Sequence, residues 1–158
     1  MKKSHWVFAV TSILFAGLAV ANEAGQIKVA KGSAFVQRGG QQLAATAGMK
    51  VQSADVLVTG ADGSIGVTFV DNSLVSTGPN SVFAIDRYTF DGTTHNGAFD
   101  GSLKKGTLAA VSGKMVRQAP ESMRIRTPAS IMGVRGTEFV VKVEDPAIRP
   151  ATEKTRHP

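Results

Sequence analysis

The sequence predicts an all-β domain, antiparallel and solenoid-like or barrel-like, made of short strands joined at glycine turns. Short runs of alternating apolar and polar residues recur from residue 22 onward, whereas the period of an amphipathic helix is hard to find. Seventeen glycines punctuate those runs, many beside Asp, Asn or Ser, the residues that turns select. With no Cys, one Trp and one Tyr, the core has to be built from Val, Leu, Ile and Phe without disulfides, and thiolate metal sites are excluded.

The chain opens with an export signal. Met1-Lys2-Lys3 is basic, Val7 to Val20 is apolar apart from Thr11, Ser12 and Gly17, and Ala19-Val20-Ala21 supplies small residues where a signal peptidase cuts. The uninterrupted apolar run is shorter than the ~20 residues that a spanning helix needs. Residues 1–21 are therefore expected to be removed after Ala21, leaving a periplasmic protein with no membrane span. The remaining chain is one domain's length, enough for a core without staples.

Each element follows from its pattern. Gln26-Ile27-Lys28-Val29 alternates, and Ser33 to Arg38 does so more loosely before Gly39-Gly40 turns the chain. Gln41 to Ala47 is rich in alanine and compatible with a single helical turn, the one segment that resists the all-β pattern. Asp55 to Thr59 reads as a strand ended by Gly60-Ala61-Asp62-Gly63. In the next strand Ile65, Val67 and Phe69 share one face and Gly66, Thr68 and Val70 the other. The turns Asp71-Asn72-Ser73 and Gly78-Pro79-Asn80-Ser81 bracket a short strand, Leu74 to Thr77, and Val82 to Tyr88 forms another. Phe90-Asp91-Gly92-Thr93 and Phe99-Asp100-Gly101-Ser102 are near copies around a polar segment that reads as a protruding hairpin or loop. Leu103 to Val111 supplies one or two strands. In the strand Met123 to Thr127 the odd-numbered residues face one way and Arg124 and Arg126 the other. In the last strand Phe139, Val141 and Val143 alternate with Glu138, Val140 and Lys142. The domain is expected to span 22–145. The tail 146–158, with charge, Pro and little apolar content, is expected to be disordered.

Charge is uneven along the chain. From Asn22 to Asp100 there are five Lys/Arg against seven Asp/Glu, and from Gly101 to Val143 eight against two. Outside the cytoplasm a basic second half suits an envelope protein with an acidic face or an anionic envelope polymer, not nucleic acid. The same pattern also fits a merely solvated strand face. The arginines Arg124, Arg126 and Arg135 are the candidate binding residues.

Catalysis finds little raw material. After the signal the only histidines are His95 and His157, no Gly-x-Ser-x-Gly elbow occurs, and there is no Cys. Asp55, Asp62, Asp71, Asp91 and Asp100 sit at turns or strand starts, where Asp serves local hydrogen bonding. Asp91, His95 and Asp100 match no familiar cation-ligand spacing. No catalytic residue, metal site or cofactor is expected.

Thr127 to Val143, TPASIMGVRGTEFVVKV, poses the sharpest question. A phosphate-cradling loop runs from a strand into a helix, but Gly133-Val134-Arg135-Gly136 runs into a strand. The segment therefore reads as a corner. Pro128 keeps Thr127 extended and ends its strand. Gly133 and Gly136 are expected to answer a need for positive φ or close backbone approach. Arg135 is expected to tie loops together by pairing with a carboxylate, with projection toward a ligand as the alternative.

Taken in order, several motifs resemble the FecR domain. They are Gly48-Met49-Lys50-Val51, Asp55 to Gly60, Asp62-Gly63-Ser64, Val67 to Ser73, Gly78-Pro79-Asn80-Ser81 and Gly106-Thr107-Leu108. Above all they include Thr127-Pro128-Ala129 with Gly133-Val134-Arg135-Gly136-Thr137-Glu138-Phe139. The resemblance spans about residues 48–143 and implies an all-β periplasmic domain with no catalytic residues. Its best-known members are transmembrane anti-sigma regulators that relay the state of an outer-membrane transporter. Only six residues precede the apolar segment here and fifteen follow Val143, so anti-sigma signalling is not carried over. The expectation is a stand-alone binding, scaffold or signalling-accessory module. An envelope polysaccharide-binding module and an uncharacterised hydrolase remain the alternatives.

Overall fold

The computed structural model describes residues 22–136 and 138–144. The expected signal segment, the expected tail and Thr137 lie outside them. Among the described residues all twelve strands join one sheet of order β3-β2-β5-β8-β9-β7-β6-β1-β4, with β10 and β12 also beside β9 and β11 beside β10. The first part of the sheet holds β2 (Ala34–Arg38), β3 (Gln41–Ala44), β5 (Val56–Thr59), β8 (Val82–Phe90), β10 (Met123–Arg126) and β11 (Ile131–Gly133). The second part holds β1 (Glu23–Lys31), β4 (Lys50–Gln52), β6 (Ser64–Phe69), β7 (Leu74–Thr77) and β12 (Glu138–Val143). Strand β9 (Gly97–Val111) belongs to both. Only the β9–β10 pair is parallel, and the sheet curls into a half-barrel. The expected all-β, antiparallel, barrel-like architecture is the one observed.

Two-residue alternation drives this layout, because it sends one set of side chains to the concave face. Ile65, Val67 and Phe69 are buried as their spacing predicts, as are Val75 on β7 and Met123 and Ile125 on β10. Aromatic rings fill the centre. Phe69 lies 4.6 Å from Phe99 and 5.1 Å from Tyr88 between centroids, and Phe83 reaches Phe99 edge-on at 6.4 Å.

The sheet curls because β9 changes neighbours partway along. Its first half pairs with β8, and residues 99–102 also pair with β10. From Gly106 onward it pairs with β12, and from Leu108 with β7. At the change Gly106 has φ +91°, and a Cβ there would overlap Ser81 Oγ and lie 2.6 Å from Ser81 Cβ. Ser81 Oγ accepts the Thr107 N–H at 2.9 Å, and Thr59 Oγ1 accepts the Ser81 N–H at 2.9 Å and donates to Gly78 O at 2.6 Å. These hydroxyls dock the Gly78–Ser81 turn against the bend.

Two buried carboxylates complete the frame. Asp55 accepts from Arg38 Nε at 2.8 Å, Arg38 Nη2 at 2.6 Å and Gln52 N at 2.9 Å. Asp71 accepts from Ser73 Oγ at 2.7 Å and from the Tyr88 hydroxyl at 3.0 Å, while Ser73 Oγ accepts the Gly113 N–H at 2.9 Å.

Three expectations are corrected. Gln41 to Ala47 contains strand β3 and no helical turn. Gly39 and Gly40, at φ +55° and +79°, close a two-residue hairpin that pairs Arg38 with Gln41 and Phe35 with Ala44, and this pairing outweighs alanine's helix propensity. A helix does occur, α1 (Lys114–Gln118), which buries Met115 and Val116 and is too short to leave a periodic signal. Finally, Gly133 and Gly136 have neither positive φ nor a described neighbour within 4 Å of a Cβ. Close approach occurs at other glycines, among them Gly106, where two parts of the sheet meet, and not at the exposed corner.

Gly106→Ala is accordingly expected to lower stability by about 2–4 kcal/mol, from left-handed strain and overpacking together. Gly136→Ala should change it by less than about 0.5 kcal/mol. Denaturant melts of both variants check the ranking, and the reverse order would contradict it.

Tyr88 is the only tyrosine, so phenolate absorbance reports on it alone. Burial, then the adjacent Asp71 carboxylate, pushes its pKa up. Stability linked to this group is fully present below the unfolded pKa of about 10 and is lost as pH rises through the higher folded value. Ionisation of the native protein is expected to lag that of the denatured chain. Coincident titration curves would show the hydroxyl to be in water.

Candidate functional site

The strand β10 presents the expected arginines. Burial of Met123 and Ile125 turns Arg124 and Arg126 to the convex face, where both are exposed. The neighbouring strands supply what the sequence could not. Arg124 stands opposite Asp100 on β9, and Asp100 in turn opposite Arg87 on β8. Asp100 Oδ2 lies 3.1 Å from Arg87 Nε, so the carboxylate that faces Arg124 in register is paired with the arginine on its other side. In the next row Arg126 stands opposite Ser102, whose hydroxyl donates to Asp86. A shallow depression of about 260 Å³ is lined by Arg87, Asp100, Glu121 and Arg124, among others. Arg87 and Asp86 went unnoticed in the sequence because β8 carries an irregularity between Ile85 and Arg87. A shift of this kind changes which face a residue takes.

The corner after β10 is a hairpin turn. Thr127 N donates to Ser130 O at 2.8 Å, and Thr127 Oγ1 accepts the Ser130 N–H at 3.0 Å, closing the loop that holds Pro128. Val134 is buried and its N–H donates to Met123 O at 3.0 Å. Arg135 pairs with Glu121, but both side chains are largely exposed, at 76% and 71%. Arg135 thus finds the expected carboxylate in cis, at the surface, where such a pair is worth ~0–1 kcal/mol. Phe139 is half-buried against the core. The geometry gives Gly133 and Gly136 no ligand-cradling role.

The other polar constellation is structural. Asp91 accepts the N–H groups of Thr93 at 2.8 Å and Thr94 at 3.0 Å, and the Thr94 and Thr93 amides hold its carboxyl below the ordinary range. His95 stacks on Phe90 with centroids 6.1 Å apart, and Asp100 belongs to Arg87. Among the described residues no group of three or more His, Asp or Glu is arranged to hold a metal ion.

The sequence profile of the family described as FecR protein matches residues 55–154. No curated protein matches the chain. A solved structure described as a cell surface anchoring domain is 32% identical over a match covering 39% of this chain and 82% of that one, with a TM-score of 0.37. At that score the likeness carries no weight for fold or function. FecR proteins are envelope-associated, and the family is a regulatory one not known as enzymatic. The profile match takes in β5 through β12 and more than half of the sequence, so the chain belongs to the FecR family.

Proposed function

We propose that the protein is a non-catalytic binding module of the periplasm, exported by residues 1–21, that engages an acidic face of an envelope protein as a scaffold or signalling accessory. The observation that carries this reading is the arginine row on the convex face. Arg124 and Arg126 project from a strand anchored by buried Met123 and Ile125, and the carboxylate facing Arg124 is already paired with Arg87. Positive charge therefore remains available on a rigid surface, the arrangement that steers association with an acidic partner. No helix among the described residues is long and apolar enough to cross a membrane.

An anionic envelope polymer is the second reading, favoured by the open and shallow shape of the same depression. Salt separates the two, because polymer binding held by charge alone weakens steeply as screening increases while a protein interface with apolar contacts persists.

Arg124→Ala combined with Arg126→Ala is expected to abolish capture of the partner from envelope extracts while leaving the melting temperature unchanged, since exposed charges contribute ~0–1 kcal/mol to folding. Capture by wild type should survive high salt. Unaltered capture by the double variant would make the arginine row a solvated surface, and early unfolding would make it part of the fold.

A further inference from the structure

Four strands, β3, β4, β11 and β12, pair on one side only among the described residues. The first three have four, three and three residues, short enough to offer little to a neighbour. Strand β12 has six, contains neither Pro nor Gly, and runs in unbroken register beside β9 from Glu138↔Val111 to Val143↔Gly106. It has no bulge or proline of the kind that blunts an edge. Its two charges, Glu138 and Lys142, lie on the exposed face with Val140 between them.

The order of residues on that edge is self-complementary. Antiparallel pairing about Val140 sets Glu138 opposite Lys142 of a second copy, Phe139 opposite Val141, and Val140 opposite itself. Opposite charges and aromatic–β-branched contacts are the cross-strand pairs that stabilise, whereas like charges face to face destabilise. Val140 at the centre is 66% exposed, while Phe139 and Val141 already lean on the core. Ala109, Ser76, Gly66 and Val29 continue the row of Val140 across the convex face, so no bulky charged side chain stands behind it. Within the chain Lys142 Nζ lies 3.6 Å from Glu144, with both side chains exposed, a contact too weak to compete strongly.

We propose that this edge is occupied by a second copy of the chain, in a two-fold dimer whose β12 strands pair antiparallel about Val140. The contact is isologous, and it merges two curled sheets into one by strand addition. Such an edge contact is small beside the ~1,600 Å² of a standard interface, so the dimer is weak and forms reversibly.

Sedimentation of the mature chain between about 1 μM and 1 mM is expected to show a monomer–dimer equilibrium. Glu138→Lys or Lys142→Glu alone sets like charges against each other at both ends of the pairing, and each should weaken the dimer on the order of tenfold. Glu138→Lys combined with Lys142→Glu restores both pairs in reverse and should bring dimerisation back to the wild-type level. Val140→Lys, which places two cations on the axis, gives an independent disruption. A wild type that stays monomeric throughout overturns the proposal and assigns the edge to residues 145–158 or to a strand of another protein. A dimer that ignores the single changes, or a double variant no better than the singles, equally overturns it.

Discussion

Strand β9 has to serve two differently directed parts of one sheet, and the bend at Gly106 lets it do so. Before the bend its partners are β8 and β10, and after it they are β7 and β12. Left-handed φ and the absence of space for a Cβ coincide at this residue because Ser81 packs directly against it. A straight β9 would leave the two parts in one plane, and the rings of Phe69, Phe83, Tyr88 and Phe99 could not meet in a common core. Gly106 is one of several glycines with no room for a side chain, and it stands where β9 exchanges one set of partners for the other.

Polar groups inside the fold hold its turns together. Asp55 is buried at the start of β5, where the Arg38 guanidinium and the Gln52 amide satisfy it. Asp71 is buried in the turn between β6 and β7, where Ser73 and Tyr88 satisfy it. Among the described residues no buried side-chain polar atom lacks a partner. Removing either carboxylate's partner would strand a buried charge, which costs far more than a surface pair contributes. Carboxylates so fully engaged are poor candidates for acid–base work.

The two surfaces that carry functional readings sit on opposite sides of the bend. Before it, β9 supplies Asp100 to the row shared by Arg87 and Arg124. Beyond it, β9 supports β12, whose outer edge is open among the described residues. Both owe their definition to the register of β9, so a fault in that strand would disturb the arginine row and the edge together.

Strand content was legible in the sequence because two-residue alternation is a local property. Ile65, Val67 and Phe69, or Arg124 against Ile125, declare their faces without reference to any other segment. The two-glycine hairpin at Gly39-Gly40 was equally open to reading, although alanine content obscured the strand after it. Export, the tail and the binding partner belong to residues or molecules outside the described structure. Neither the partner of Asp100 nor the packing that bars a side chain at Gly106 could be read locally. Asp100 meets Arg87 and Arg124 only through cross-strand register, which an irregularity at Ile85–Arg87 shifts. Gly106 looks like any other glycine until Ser81, twenty-five positions earlier in the chain, is packed against it. Composition and alternation determine which way a side chain faces. Only the assembled sheet decides what it faces, because pairing between strands distant in sequence is set by the fold as a whole.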